Sequence, residues 1–278
     1  MEHEALGVPV HFAQRGDGMP ILVLHGANVD HREMLGSIDP VFGRTHEYRR
    51  VYPDLPGMGR TPAPEKLNSS DDVLDLMLAF VDGVIGDESF LVIGHSAGGY
   101  FARAITGRRP EQVAGMALIC PLGESFQKLP GHQVLHSSAD PAEELEPKDA
   151  REFRDYFVVQ SRETVRQYKK YVVPSQALLD EAGLERMGAN WMFSTSPENG
   201  SPFPGPALII TGRQDSMVGY AGPWDLLEHY PRATFAVLDR AGHALPHEQP
   251  GLVESLIIEW LGRVREFRSG KASVNPRR

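Results

Sequence analysis

The stretch Phe90-Leu91-Val92-Ile93-Gly94-His95-Ser96-Ala97-Gly98-Gly99-Tyr100 decides how the rest of the chain is read. Its four leading apolar residues fit a strand buried on both faces. They run directly into Gly94-x-Ser96-x-Gly98, and Tyr100 to Gly107 continues a helix begun near Ala97. A serine caught between a strand end and a helix start sits in a sharp turn with strained backbone angles. The residues two positions to either side must then be small, and both are glycine. The following helix N-terminus aims backbone N–H groups at the hydroxyl, where negative charge would develop if the serine attacked. Ser96 is therefore the first candidate for a nucleophile, and His95 is expected to shape the turn.

Outward from this point, strands and helices alternate. Arg49 to Pro53 reads as a short strand, Val113 to Cys120 and Ala207 to Ile210 as buried ones, and Thr234 to Leu238 as the last. Val8 to Ala13 and Pro20 to Leu24 flank Gly16-Asp17-Gly18, a pattern that predicts a hairpin. Ser70 fits a helix N-cap with Asp71 and Asp72 in the first turn, and Val73, Met77, Phe80, Val81 and Val84 then give one apolar face. Glu248 to Phe267 carries Leu252, Leu256, Ile257, Trp260, Leu261 and Val264 at helical spacing. The fold class is thus α/β, a mostly parallel central sheet flanked by helices. Residues 123–203 break the rhythm with charge-rich helical segments and loop signals at Pro130-Gly131 and Ser196 to Pro202. They are expected to form a helical cap inserted into a core made of residues 1–122 and 204–267. The polar tail, residues 268–278, is expected to be frayed.

Composition narrows the class further. A 278-residue chain that is 41% hydrophobic and 23% charged can bury a large core. A net charge of -9 argues against nucleic acid as a partner. Cys120 is the single cysteine, so no intrachain disulfide forms, and it reads as a small buried hydrophobe. The opening MEHEALGVPVHF lacks the basic and apolar regions of a targeting segment, and no apolar run is long enough to span a bilayer. A cytoplasmic location and no membrane partner are expected.

Two later segments complete the pattern around the serine. Thr211-Gly212-Arg213-Gln214-Asp215 follows one strand, and Ala241-Gly242-His243 follows the last. With Leu24-His25-Gly26-Ala27 after an earlier strand and the Asp54-Leu55-Pro56-Gly57-Met58-Gly59 loop, nearly the whole chain resembles the α/β-hydrolase superfamily, in particular its capped serine hydrolases of carboxylesterase or lactonase type. That resemblance implies an α/β-hydrolase fold and a catalytic set in the order serine, acid, histidine: Ser96, Asp215 and His243. It also implies an oxyanion hole built from the backbone N–H groups of Ala27 and Ala97. His25 is expected to brace its loop, and the Asp54 loop to be architectural. Asp225 fits a solvated helix from Pro223 to His229, Asp239 a turn, and His247 a pocket rim or local hydrogen bond. His132 and His136 lack metal-ligand company. No metal and no cofactor are expected, and the partner is a small-molecule substrate.

Substrate is less legible. An aspartate in place of Ser96 would mark a dehalogenase or epoxide hydrolase. Among Phe126, Leu129, Phe153, Tyr156, Phe157, Tyr168, Tyr171, Trp191, Met192 and Phe193, most should pack within the cap or against the core, and a minority should line a hydrophobic pocket for an uncharged ester or lactone. A carbon–carbon bond hydrolase of ring-cleavage dienoates uses the same three residues, but such enzymes tend to have tryptophan after the histidine, where this chain has Ala244. A proline-releasing aminopeptidase usually has tryptophan beside the serine, where this chain has Ala97. A ligand sensor on the same fold stays open as well.

Overall fold

The computed structural model describes residues 1–43, 47–124, 129–138 and 141–273. Ten strands appear in the order β1 (Glu2–Ala5), β2 (Val8–Arg15), β3 (Met19–Leu24), β4 (Tyr48–Pro53), β5 (Phe90–His95), β6 (Val113–Ile119), β7 (His136–Ser137), β8 (Val159–Gln160), β9 (Ala207–Gly212) and β10 (Ala233–Leu238). The α-helices are α1 (His31–Ser37), α2 (Ser70–Val84), α3 (Ala97–Arg108), α4 (Pro147–Tyr156), α5 (Arg162–Gln167), α6 (Val173–Gln176), α7 (Glu181–Gly188), α8 (Leu245–Glu248) and α9 (Pro250–Ser273). None of the described helices is long and apolar enough to cross a membrane.

Eight strands form one sheet in the order β1-β2-β4-β3-β5-β6-β9-β10. β1 with β2 and β2 with β4 run antiparallel; the remaining neighbours are parallel. Alternate residues of the central strands feed two apolar layers. Leu22, Leu24, Phe90 and Val92 face α2 and α3, meeting Met77, Phe80, Tyr100 and Ile105. Ile21, Val23, Leu91 and Ile93 face the opposite layer, where α1 and α9 supply Met34, Val253, Ile257 and Trp260. A strand covered on both faces needs apolar residues at every position, which is why β5 reads as a continuous run rather than an alternation. This is the α/β-hydrolase fold, and it leaves the carboxyl ends of β5, β9 and β10 on one side of the sheet, where loops can converge.

The expected hairpin across Gly16-Asp17-Gly18 does not form, because β4 lies between β2 and β3. The turn instead carries the chain over the start of β4. Gly18, at φ +97°, sits so close that a Cβ there would lie 2.3 Å from the Glu47 carbonyl oxygen. A hairpin does occur one strand earlier, between β1 and β2, where Leu6 and Gly7 both adopt positive φ. Ser69 rather than Ser70 caps α2, its Oγ accepting the Asp72 N–H at 3.2 Å. The Pro223–His229 segment is a 3₁₀ helix, Gly222–Glu228, with Asp225 exposed as expected. α9 continues past Phe267 to Ser273, so the expected tail begins as helix; residues 274–278 lie outside the described residues.

The segment inserted between β6 and β9 is not uniform. Ala142, Ala150, Phe153, Phe157, Val165 and Tyr168 form a small cluster of their own that includes Ala244, the residue after His243. Met187, Phe193 and Phe203 instead join the main layer beneath α2 and α3. The aromatic residues after α7 therefore belong to the body of the protein, whereas α4 to α6 lie over the His243 loop. Of the apolar residues expected to pack here, Phe126 lies outside the described residues, and Leu129 and Met192 are exposed.

Candidate active site

β5 ends at His95, α3 starts at Ala97, and Ser96 between them has φ 52° and ψ -120°. Non-glycine residues rarely occupy that region, and they hold it only where the surroundings impose it. The surroundings here are backbone. A Cβ on Gly94 would sit 2.3 Å from the Gly98 carbonyl oxygen, and one on Gly98 would sit 2.4 Å from the Leu24 carbonyl oxygen. The two glycines let β5, α3 and β3 meet at the serine, as the sequence motif requires.

His243 follows β10 and Asp215 follows β9. The His243 Nε2 lies 2.8 Å from Ser96 Oγ, and its Nδ1 lies 2.7 Å from Asp215 Oδ2. The other Asp215 oxygen accepts the N–H groups of Met217 at 2.9 Å and Val218 at 3.0 Å. Asp215 is fully buried. Burial opposes its ionisation, but His243 and the two N–H donors outweigh that, and its carboxyl titrates below the ordinary range. The carboxylate so held fixes the imidazole with Nδ1 as donor and Nε2 free to accept the serine proton. All three residues singled out in the sequence meet in one hydrogen-bonded line.

The loop after β3 borders the same space. His25 is fully buried; its Nδ1 contacts the Gly26 carbonyl oxygen at 2.7 Å and its Nε2 accepts the Leu55 N–H at 2.9 Å. It thereby ties the Gly26-Ala27 turn to the loop that Asp54 organises. Asp54 accepts the N–H groups of His31 and Arg60, both at 2.9 Å, and contacts the rings of His11 and His31. The N–H groups of Ala27 and Ala97 have no hydrogen-bond partner among the described residues. At Ala97 that follows from its place as the first residue of α3, ahead of any helical acceptor.

A cavity of about 400 Å³ opens over Ser96 and His243. Ala27, Val29, Tyr156, Phe157, Tyr168, Val172, Met217 and Ala244 line it, with the polar residues Glu33, His95, Glu152, Asp155, Gln176 and His247. Tyr168 to Val172 forms a π-helical segment between α5 and α6 and turns its face to this space. The aromatic lining fits the apolar pocket expected from the sequence, and the three carboxylates do not. Among the described residues, no Lys or Arg lines the cavity.

Two residues at the site gave no sequence signal. Glu248 on α8 accepts the N–H of Val158 at 2.6 Å and of Val159 at 3.1 Å through one oxygen, and that of Gly242 at 2.6 Å through the other. It fastens the inserted segment to the histidine loop. Burial pushes its carboxyl above the ordinary range despite the three donors. Glu33 on α1, also buried, lies 3.6 Å from His95 Nδ1 and 3.4 Å from His247 Nε2. His95 donates from Nε2 to the His243 carbonyl oxygen at 3.0 Å, consistent with the shaping role expected of it. His247 lines the cavity wall rather than bonding within its own loop. Cys120 is buried and its thiol is pushed up by that burial. His132 and His136 are exposed, and neither lines this cavity.

Several known proteins share this architecture. The chain is 27% identical to a pimeloyl-[acyl-carrier protein] methyl ester esterase of Shewanella woodyi, over 91% of this chain and 98% of that one. It is 23% identical to a 2-hydroxymuconate semialdehyde hydrolase of a Pseudomonas species, over 92% of each. A crystal structure of an alpha/beta superfamily hydrolase from Oenococcus oeni superposes with a TM-score of 0.86 at 26% identity, covering 95% of this chain and 99% of that one. The model of the Alpha/beta hydrolase family matches residues 21–256. That match takes in the parallel strands, the serine turn and the histidine loop together, and the chain belongs to the alpha/beta hydrolase family.

Proposed function

We propose that this hydrolase cleaves a small to medium, largely apolar ester or lactone through an acyl-enzyme formed on Ser96. The observation that carries this reading is the continuous line from Ser96 Oγ through His243 to Asp215, at 2.8 and 2.7 Å, on a serine held at positive φ. Ser96 Oγ attacks the acyl carbon as its proton passes to His243 Nε2. Asp215 keeps the ring in place and stabilises the imidazolium. The N–H groups of Ala27 and Ala97 hold the tetrahedral oxyanion. His243 then hands its proton to the leaving oxygen, and water attacks the acyl-enzyme by the same route. No cofactor takes part in these steps. Residues 123–203 serve as a cap, with α4 to α6 forming the roof of the substrate cavity.

A carbon–carbon bond hydrolase is the second reading, supported by likeness to the 2-hydroxymuconate semialdehyde hydrolase. Dienoate substrates carry a carboxylate. Among the described residues the cavity is lined by Glu33, Glu152 and Asp155 and by no Lys or Arg, a poor setting for that anion. The ester reading is therefore preferred. Its test is turnover of p-nitrophenyl esters from acetate to octanoate by the native protein and by Ser96→Ala. Loss of several orders of magnitude in the variant supports the nucleophile, and the chain-length profile measures the pocket. Equal turnover by both proteins refutes the mechanism, and turnover of a dienoate but of no ester moves the assignment to the second reading.

A further inference from the structure

We infer that the Ser96 cavity holds a recognition site for a protonated amine of the substrate, formed by Glu33 with His95 and His247 beside it. The inference rests on the hydrolase reading above, since it names the kind of substrate that site would take.

The starting observation is a set of buried polar atoms that make no well-formed hydrogen bond, although His247 Nε2 approaches Glu33 Oε1 at 3.4 Å. Glu33 Oε2, His95 Nδ1 and His247 Nε2 have no hydrogen-bond partner among the described residues. Their residues are only 3%, 4% and 6% exposed, and all three line the cavity over Ser96. Buried polar groups left without partners cost stability, so such a cluster points to a ligand that completes it.

The chemistry of that ligand follows from what each atom can do. His95 Nε2 faces the His243 carbonyl oxygen at 3.0 Å, and a carbonyl only accepts, so Nε2 carries the proton. In the neutral ring, Nδ1 is then a lone pair, and it faces Glu33 Oε1 at 3.6 Å. Burial lowers the His95 pKa, favouring that neutral ring. Glu33 Oε1 also lies 3.4 Å from His247 Nε2, a ring nitrogen that can donate toward the carboxylate. A carboxylate and an imidazole lone pair facing one another need a donor between them. An ammonium group supplies three donors and the positive charge that the buried carboxylate lacks. The rest of the lining agrees. Asp155 adds negative potential, whereas Glu152 is engaged by Gln176 Nε2 at 2.7 Å and by Lys148 Nζ at 3.8 Å.

The test separates recognition from turnover by measuring binding in Ser96→Ala, which needs no nucleophile. Calorimetry with n-hexylammonium, hexan-1-ol and hexanoate compares cation, neutral donor and anion on one chain. The ammonium is expected to bind tighter than the alcohol by roughly 10- to 100-fold, the range of one charge-assisted hydrogen bond. Hexanoate is expected to bind weakest. Adding Glu33→Gln to the Ser96→Ala background should bring the ammonium-to-alcohol ratio close to one. Alcohol binding as well as ammonium overturns the proposal and leaves the cluster as a water site. A ratio that survives Glu33→Gln, or that vanishes in about 0.5 M salt, also overturns it, because the rim carboxylates alone are screened in that way. The salt series decides the matter even if Glu33→Gln does not fold. Failure of the ester assay with success here would instead refute the ester reading and leave the amine site standing.

Discussion

Replacing Glu248 tests how the histidine loop is held. Its two oxygens satisfy three main-chain N–H groups, those of Val158, Val159 and Gly242, at 2.6 to 3.1 Å. Glu248→Ala leaves all three without an acceptor in a buried setting. Each such loss costs about 1–3 kcal/mol, so the total is at least ~3 kcal/mol, a large part of the ~5–15 kcal/mol available to a folded domain. Glu248→Gln is gentler and more informative. Its single oxygen can serve Val158 and Val159 or Gly242, but its amide N–H₂ then faces the remaining donor. One charge-assisted bond is lost, about 1.5–3 kcal/mol, while the cost of burying a charge disappears. A net loss of ~1–2 kcal/mol is expected, read as a lower urea midpoint at unchanged slope. Gly242 precedes His243, so esterase kcat should fall in the same variant. A Gln variant as stable and as active as the native protein would refute the view that this carboxylate holds the loop.

Other consequences are equally open to measurement. Gly98→Ala places a methyl 2.4 Å from the Leu24 carbonyl and 2.5 Å from that of His25; a stability loss of about 1–3 kcal/mol and near-complete loss of ester turnover are expected, measured by denaturation and initial rates. Gly262→Ala, within α9 and with nothing near its Cβ position, should instead gain ~0.5–1 kcal/mol in the same denaturation assay. Asp215→Asn should lower kcat by roughly 10³–10⁴-fold while binding persists, since the imidazole loses its orienting acceptor; a drop under tenfold would remove Asp215 from the mechanism. Stability should also fall on acidification. His25 and His95 have pKa values lowered by burial from an ordinary 6.5, so the unfolded chain takes up protons that the folded one refuses. The urea midpoint should decline from about pH 7 toward pH 5, and decline further below about pH 4, where Asp54 and Asp215, both held low in the fold, lose their contribution.

What the sequence makes legible here is whatever is local. Ser96, Asp215 and His243 each close a strand, and the glycines beside the serine are imposed by contacts within a few residues of it and with β3. The α2 cap lies one residue earlier than expected because two adjacent serines, Ser69 and Ser70, both fit the pattern. The false hairpin arose because turn chemistry reports that the chain reverses, not which strand ends up alongside; β4, arriving some thirty residues later, takes the place between β2 and β3. Glu33 and Glu248 were invisible for a related reason. Their partners lie far along the chain, as with Glu248 and Val158, and a lone glutamate on a short helix looks like a solvated one. The inserted segment was recognisable as an interruption, yet its division between a roof over the site and a buttress under α3 depends on which apolar side chains meet in space.

Arg103, on the helix that begins beside Ser96, is 3% exposed and touches both passages between core and insertion. Its Nη1 donates to the Leu122 carbonyl oxygen at 2.8 Å, where the chain leaves, and its Nε to Glu198 Oε1 at 2.7 Å, where the chain returns. The Leu122 N–H, in turn, donates to the Ser96 carbonyl oxygen at 3.0 Å. One guanidinium thus joins exit and entry, and Glu198 is held a second time by the Tyr230 hydroxyl at 2.8 Å. A change of length between these two points costs little loop entropy, because the ends of the excursion stay pinned beside the Ser96 turn. The same geometry limits that freedom at the histidine loop, which Val158, Val159 and the cluster around Ala244 tie to the insertion.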